Sequence, residues 1–125
     1  MTEIDVDGAR NRLVLTLSGT ITKAEAEALL VDLADTLEKL QPGFDVVNDL
    51  REFQIGHIAA AAVMEKIIAL LQEHQVGRVV RISAESKTAL NQFARVTDHV
   101  QDYAPALVSS WEEAEDFLNT PHSDP

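Results

Sequence analysis

Three groups of polar residues come directly after apolar runs that we expect to be neighbouring strands. In an open α/β sheet, ligands bind outside the carboxyl ends of the strands, so these positions are the first place to look for chemistry. If the sheet closes as predicted, the three groups line one edge of it. The candidate ligand-binding residues at that edge are Asp49, Arg51, His57, Arg81 and Trp111.

These residues do not complete a known catalytic set. Asp49 has no second acid at a spacing that suits acid–base catalysis, so we favour an ion pair with Arg51 over a general base. Ser83, Ser86 and Ser110 lack a Gly-x-Ser-x-Gly setting, and helix capping explains Ser110 and at least one of the other two. We therefore expect no catalytic residue and no enzyme activity.

Metal and cofactor sites are not indicated either. No two of the histidines stand three or four residues apart on one helical face, so metal binding has no support. His57 precedes a predicted helix, where a surface or capping role competes with ligand binding. Arg81 and Arg95 would suit an anion, although salt bridges to the many carboxylates explain them as well. The glycines stand too far apart for a phosphate loop, and we expect no cofactor.

The composition narrows the class of protein. The chain has 125 residues, a net charge of −11 and no cysteine. The length suits one domain, and the missing cysteine excludes disulfides and thiol catalysis. An acidic surface repels nucleic acid and anionic membrane, so neither is an expected partner. The sequence shows no signal peptide and no apolar run long enough to cross a bilayer, and the expected location is the cytoplasm.

The elements that must position the candidate residues are about five strands and four helices. Residues 3–6 and 13–17 predict an antiparallel hairpin, and 18–21 a turn. Strands follow at about 43–51, 78–82 and 106–109, and helices at about 23–40, 58–74, 85–99 and 111–119; residues 52–57 read as a loop. Alternating helices and strands require right-handed crossovers, which make these strands mainly parallel. The predicted fold class is α/β with a mixed sheet.

The run 43–51 is predicted to be the central strand. Phe44, Val46, Val47 and Leu50 have little polar interruption, as expected of a strand covered by helices on both faces. The preceding helix shows an apolar stripe at helical spacing and begins with Thr22 and Glu25, which form a capping box.

The second helix carries more apolar surface than one stripe. Burial between the sheet and its neighbours would explain this, but so would an exposed contact face. A self-complementary face of this kind commonly makes a two-fold dimer. The interface residues predicted on this basis are Ile55, Ile58, Ala61, Met64 and Ile68.

Several phrases, taken in order, resemble the SpoIIAA-like branch of the STAS superfamily, which is bacterial. They are LVLTLSGTITKAEAEALL, GFDVVNDLREF, VGRVVRIS, FARV and SSWEEAEDFL. The resemblance covers roughly residues 3–119. It implies a single STAS-like domain over 1–119, followed by a flexible C-terminal tail at 120–125.

The resemblance also implies a function. Well-studied members of the superfamily bind a kinase-like anti-sigma factor, and phosphorylation of one serine controls the binding. The corresponding stretch here, 54–58, contains no serine or threonine, so we assign no residue to that switch. The implied function is a non-enzymatic regulatory or protein-interaction module, expected to bind another protein or itself as a homodimer.

Two other functions stay open. Because the branch is linked to SEC14-type folds, the chain could instead carry a small apolar or lipid-like ligand. That alternative predicts a cavity lined by Phe53, Met64, Phe93 and Trp111. An enzyme would require titratable groups to converge near Asp49, His57 and Arg81.

Overall fold

One five-stranded sheet organises the computed structural model, which describes residues 1–56, 61–82 and 106–119. Its strands follow one another across the sheet in chain order. The first two are antiparallel and all later neighbours are parallel, which confirms the predicted mixed sheet and the middle position of the third strand. The strands are β1 (Thr2–Asp7), β2 (Arg12–Ile21), β3 (Asp45–Gly56), β4 (Val79–Ile82) and β5 (Ala106–Val108).

The described part of the chain contains three helices rather than the four predicted. They are α1 (Lys23–Leu37), α2 (Ala61–Glu73) and α3 (Trp111–Asn119). The remaining predicted helix, at 85–99, lies outside the described residues, as do 57–60 and the predicted tail. None of the helices in the described ranges is long and apolar enough to cross a membrane.

Helices cover both faces of the sheet, which explains the apolar run in β3. Val46 and Leu50 pack with α1 and α2 in the larger core, and Val47 packs with α3 in a smaller one. Alternating side chains on a strand point to opposite faces, so an apolar run fills both cores. Each fully buried valine or leucine contributes about 1.5–3 kcal/mol to folding.

β2 and β3 continue further than the sequence indicated. The prediction of a turn at 18–21 is wrong, and the predicted loop at 52–57 is wrong for 52–56. These two segments pair with each other as parallel strands. The pairing is irregular: Leu17 faces two residues of β3, Leu50 and Arg51, and a second shift follows Gly19. Extra residues of this kind are β-bulges, which bend a strand without ending it.

α1 begins as predicted but ends earlier. The Thr22 hydroxyl accepts from the Glu25 amide and the Glu25 carboxylate accepts from the Thr22 amide, which confirms the capping box. The helix ends at Leu37 instead of Leu40, because the amides of Lys39 and Leu40 donate to carbonyls only three residues back. Leu40 nevertheless remains in the core.

The apolar surface of α2 belongs mostly to the core. Val63, Ile67 and Leu71 are buried, and Met64 packs partly buried against the same cluster. Ile68 is only 5% exposed, so the prediction that it lies on an exposed contact face is wrong. Helical spacing alone cannot show that α1 packs beside α2 and covers a second stripe. The side chains of Ile55, Ile58 and Ala61 lie outside the described residues.

Three arginines hold α3 against the sheet, and one of them, Arg10, pairs with Glu115 at 3.2 Å. Arg12 in β2 is buried and pairs with Glu115 at 2.7 Å. Arg78 donates to the carbonyls of Phe117 and Leu118, at 3.1 and 2.6 Å. Cations at the carboxyl end of a helix satisfy its free carbonyls and its dipole. These contacts fix the axis of α3 and therefore the position of Trp111 in its first turn.

Candidate functional site

Asp49 lies in the interior of β3, not at its carboxyl end as expected, and is the centre of a polar cluster beside Ile82, the last residue of β4. Arg51 donates from Nε and Nη2 to the two carboxylate oxygens at 3.0 and 2.9 Å, which confirms the predicted ion pair. The indole Nε1 of Trp111 donates to the Asp49 Oδ2 at 3.1 Å. The structure thus brings together three of the five candidate residues.

Asp49 also binds the irregular backbone that the bulge creates in β3. The extra residue of a bulge is left out of the ladder, so its amide lacks a strand partner. The Arg51 amide donates instead to the Asp49 Oδ1 at 3.2 Å. Asp49 therefore satisfies the irregular backbone of its own strand as well as the Arg51 guanidinium.

The protonation of Asp49 reflects two opposing effects. Burial raises the pKa of its carboxyl, because a charge is less stable away from water. Hydrogen bonds from the Arg51 side chain and amide and from Trp111, together with the Arg51 charge, outweigh burial and lower the pKa below its usual value of 3.8. The same ion pair raises the pKa of Arg51. Asp49 is thus a poor general base near neutral pH.

The start of α3 is fixed by a neighbouring set of bonds. The Ser110 hydroxyl accepts from the Glu113 amide at 3.2 Å, as the predicted cap requires. The Glu113 carboxylate accepts from the amide and hydroxyl of Ser109, at 2.7 and 2.9 Å, rather than from the Ser110 amide. These bonds lower the pKa of Glu113. Ser110 therefore caps the helix, as predicted, and Ser109 binds the Glu113 carboxylate of its first turn.

Arg81 does not join this cluster. It lies opposite Asn48 in the register of β3 and β4, on the face that α1 and α2 cover. Asp49 is one residue further along β3 and projects from the other face, toward Trp111. His57 lies outside the described residues. The five candidates therefore do not all line one edge surface, because side-chain alternation separates Arg81 from Asp49.

The hydrogen-bonding capacity of the Asp49 carboxylate is used within the chain. Four donors already occupy the Asp49 carboxylate, which leaves it little capacity for a metal or a substrate proton. The Arg51 side chain is 50% exposed and presents charge to solvent. Among the described residues, no group of three or more histidines or acids is placed to hold a metal ion.

The residues predicted to line a lipid cavity are also divided between the two faces. Phe53 and Met64 pack in the core under α1 and α2, and Trp111 packs with α3. Phe93 lies outside the described residues. Phe53 and Met64 thus lie on the opposite face of the sheet from Trp111.

A cleft between β1 and α1 was not anticipated from the sequence. It has a volume of about 460 Å³ and opens to solvent. The alternation of β1, with apolar residues at 4 and 6, is the signal that could have indicated it. The lining residues are Thr2, Ile4, Asp5, Val6, Leu29, Asp32, Thr36 and Lys39.

Solved structures with the same architecture cover nearly the whole chain. An uncharacterized protein from Shewanella loihica PV-4 with a SpoIIAA-like fold is 20% identical with a TM-score of 0.69, over 94% of this chain and 92% of that one. The anti-sigma factor antagonist SpoIIAA in its unphosphorylated form is 12% identical with a TM-score of 0.64, over 94% and 97%.

A third structure agrees with these two. An anti-sigma factor antagonist from Mycobacterium paratuberculosis is 15% identical with a TM-score of 0.62, over 96% of this chain and 94% of that one. No protein-family model and no curated protein sequence matches the chain. At these identities the similarity establishes the fold, which is the STAS/SpoIIAA-like fold expected from the sequence phrases.

Proposed function

We propose that this chain, a domain with the STAS/SpoIIAA-like fold, is a non-enzymatic regulatory module that works by binding another protein. The observation that carries the proposal is the match over almost the full chain to two structures described as anti-sigma factor antagonists. Those proteins are named for an effect on a protein partner. Nearly complete coverage of both chains means that the whole domain, rather than a fragment of it, is shared.

The chemistry of the Asp49 cluster supports binding over catalysis. A general base needs a free lone pair and a pKa near the working pH. Asp49 has its carboxylate engaged by four donors and its pKa lowered. Arg51, by contrast, is half exposed on a backbone that these bonds hold in place. A positioned arginine suits recognition of a carboxylate on a partner surface.

Control of binding is proposed to differ from a serine switch at the start of the second helix. The stretch 54–58, Gln-Ile-Gly-His-Ile, offers no hydroxyl that a kinase could modify. Binding would then depend on the concentration of the partner or on another signal. We do not retain a homodimer formed through α2, because Ile68 is part of the core.

The test is affinity capture from a lysate of the source organism with matched variants. The wild-type chain and Lys66→Ala, which removes an exposed cation on α2, are expected to capture the same protein. Arg51→Ala removes a cation at the Asp49 cluster and is expected to reduce capture by about tenfold or more. Circular dichroism of all three proteins would check that each is folded.

The outcomes test separately whether the chain binds a partner protein and whether it does so through the Asp49 cluster. If the wild-type chain captures nothing above an unrelated acidic protein used as bait, the proposed function is wrong. If Arg51→Ala captures the partner as well as wild type does, the function stands and the contact surface lies away from the Asp49 cluster.

A further inference from the structure

β1 forms one margin of the sheet, and half of its backbone groups point away from the sheet. No strand in the described ranges 1–56, 61–82 and 106–119 lies on its outer side. Met1 and Ser18 exchange two backbone hydrogen bonds, at 2.7 and 2.9 Å. Bonded and non-bonded pairs alternate along an antiparallel ladder, so the amides and carbonyls of Thr2, Ile4 and Val6 face outward.

The side chains beside this open edge form a shaped surface. Thr2, Ile4 and Val6 line the 460 Å³ cleft, and α1 forms its other wall with Leu29 and Thr36. Val6 is 38% exposed although it belongs to a strand. A strand added at this edge would bond to the outward groups and place every second side chain in the cleft.

The charge around the edge selects the chemistry of the added strand. Glu3 and Asp5 are exposed, and neither forms a salt bridge with a described residue. Asp32 on α1 adds a carboxylate in the cleft itself, where Lys39 is the cation among the lining residues. An extended segment with lysine or arginine at alternate positions would pair with Glu3 and Asp5 across the new ladder, and its other side chains would enter the cleft.

A second copy of the chain fits this edge poorly. In an antiparallel pair of β1 strands centred on Ile4, Glu3 of each copy would face Asp5 of the other. Like charges directly opposite each other destabilise a strand pair, and a net charge of −11 adds repulsion between the copies. The acids at the edge thus disfavour self-pairing and favour a basic partner.

We propose that the outer edge of β1 binds an extended basic segment of a partner protein as a sixth strand. This inference rests on the proposed function and adds to it the docking edge and the kind of segment that docks. Backbone bonds to Thr2, Ile4 and Val6 would hold the segment, and Glu3 and Asp5 would select its charge.

The probe is a synthetic peptide of about eight residues in which lysine alternates with valine, labelled for fluorescence anisotropy. It is expected to bind the full chain with a Kd in the micromolar range, and more weakly as salt is raised. Two control peptides are expected to bind at least about tenfold more weakly. One replaces lysine by glutamate, and the other carries N-methyl groups on alternate amides and so cannot complete the ladder.

Val6→Pro tests the backbone edge directly. The Val6 amide points outward, so proline removes a donor for the incoming strand without removing a β1–β2 bond. We expect a loss of peptide affinity of about tenfold or more, and Val6→Thr, which keeps the amide, should bind nearly as wild type does. Equal binding by Val6→Pro, with the fold retained by circular dichroism, would overturn the proposal.

Asp5→Lys and Asp35→Lys form a matched pair for the charge. Both make the same change in net charge, but Asp5 lines the cleft and Asp35 is exposed on α1 and is not part of the lining. Asp5→Lys is expected to weaken binding several-fold more than Asp35→Lys. Equal losses would indicate general attraction to an acidic protein and would overturn the assignment of the edge.

Two further outcomes separate this inference from the function on which it rests. A dimer detected by light scattering that Val6→Pro dissociates would make the occupant a second copy and overturn the basic partner. A captured protein that is retained by Val6→Pro and lost by Arg51→Ala would support the interaction module but overturn docking at β1.

Discussion

At the scale of single residues, the Asp49 carboxylate accepts hydrogen bonds from three different groups. Its carboxylate accepts from the bulged backbone of β3, from the Arg51 guanidinium and from the Trp111 indole. Side chains of one strand and one helix are thereby fixed relative to each other. The carboxylate is ionised in the folded protein at neutral pH, because these bonds lower its pKa.

Asp49→Asn is expected to destabilise the fold by about 1–3 kcal/mol at pH 7, since a buried charged acceptor is replaced by a neutral amide. The folded-state pKa of Asp49 is lowered below its usual 3.8, so protons bind the unfolded chain more readily than the folded one. The stabilisation is therefore complete above the usual pKa and is lost as the pH falls through the lower folded value. Urea unfolding at several pH values would measure the difference.

The matched control for this substitution is Asp35→Asn on the exposed surface of α1. It removes the same charge without breaking a hydrogen bond and is expected to change stability by less than about 0.5 kcal/mol. If Asp49→Asn and Asp35→Asn have equal effects at pH 7, the hydrogen bonds of Asp49 do not contribute to stability.

Trp111 is the one tryptophan of the chain, so its fluorescence reports on this cluster. Protonation of Asp49 removes the charge that the indole Nε1–H donates to. The emission of the folded protein is therefore expected to change during acid titration with a midpoint below 3.8, the usual pKa of an aspartate. In Asp49→Asn this step should be missing, and a step that persists in the variant would assign the signal to another group.

The sequence could predict the pairing of Asp49 with Arg51 but not the separation of Arg81. The first relation follows from local geometry alone, because Asp49 and Arg51 are two residues apart on one strand. The second depends on the register between β3 and β4, which places Arg81 opposite Asn48. A shift of one residue moves a side chain to the other face, and no periodicity within a single strand contains that information.

At the scale of elements, the errors concern where strands and helices end. Ser18, Gly19 and Thr20 are typical of a turn when taken alone. In the fold they extend β2, because they pair with residues of β3. The bulges in β3 interrupt the alternation that would mark a strand, so 52–56 looked like a loop. The starts of α1 and α3 were predictable because their capping residues are local signals.

The connection after α2 gives the element-scale prediction. The turns before β3 and β4 cross closely, and a Cβ atom at Gly77 would overlap the Gly43 carbonyl oxygen. The Gly77 amide also donates to the Phe44 carbonyl at 2.6 Å. Gly77→Ala is expected to destabilise the fold by about 2 kcal/mol or more, because backbone must move to make room. Denaturant unfolding would measure this loss.

Gly8→Ala is the control for Gly77→Ala. A Cβ at Gly8 meets no atom within 4 Å, so the same change in composition is expected to alter stability by less than about 1 kcal/mol. A neutral Gly77→Ala would mean that the two turns separate at little cost.

At the scale of the whole molecule, the dominant property is a net charge of −11. The exposed faces of α1 and β1 carry much of it, and five of the acids there are Glu3, Asp5, Glu27, Asp32 and Asp35. Self-repulsion of this kind favours expanded states of the chain over the folded one. It also restricts partners, because an acidic surface attracts basic segments and repels copies of itself.

Added salt is therefore expected to stabilise the folded protein. Raising sodium chloride from about 20 to 300 mM shortens the screening length from roughly 20 to 6 Å. This weakens the repulsion between surface carboxylates more than it weakens the attraction in partly buried pairs such as Asp49–Arg51. We expect the thermal midpoint to rise by a few degrees. A double variant, Asp32→Asn and Asp35→Asn, removes two exposed acids that form no salt bridge with a described residue, and it should melt higher at low salt and show a smaller salt effect. If the midpoint of the wild-type chain falls with salt instead, attractive surface ion pairs outweigh the repulsion, and the preference of the β1 edge for a basic segment loses its electrostatic basis.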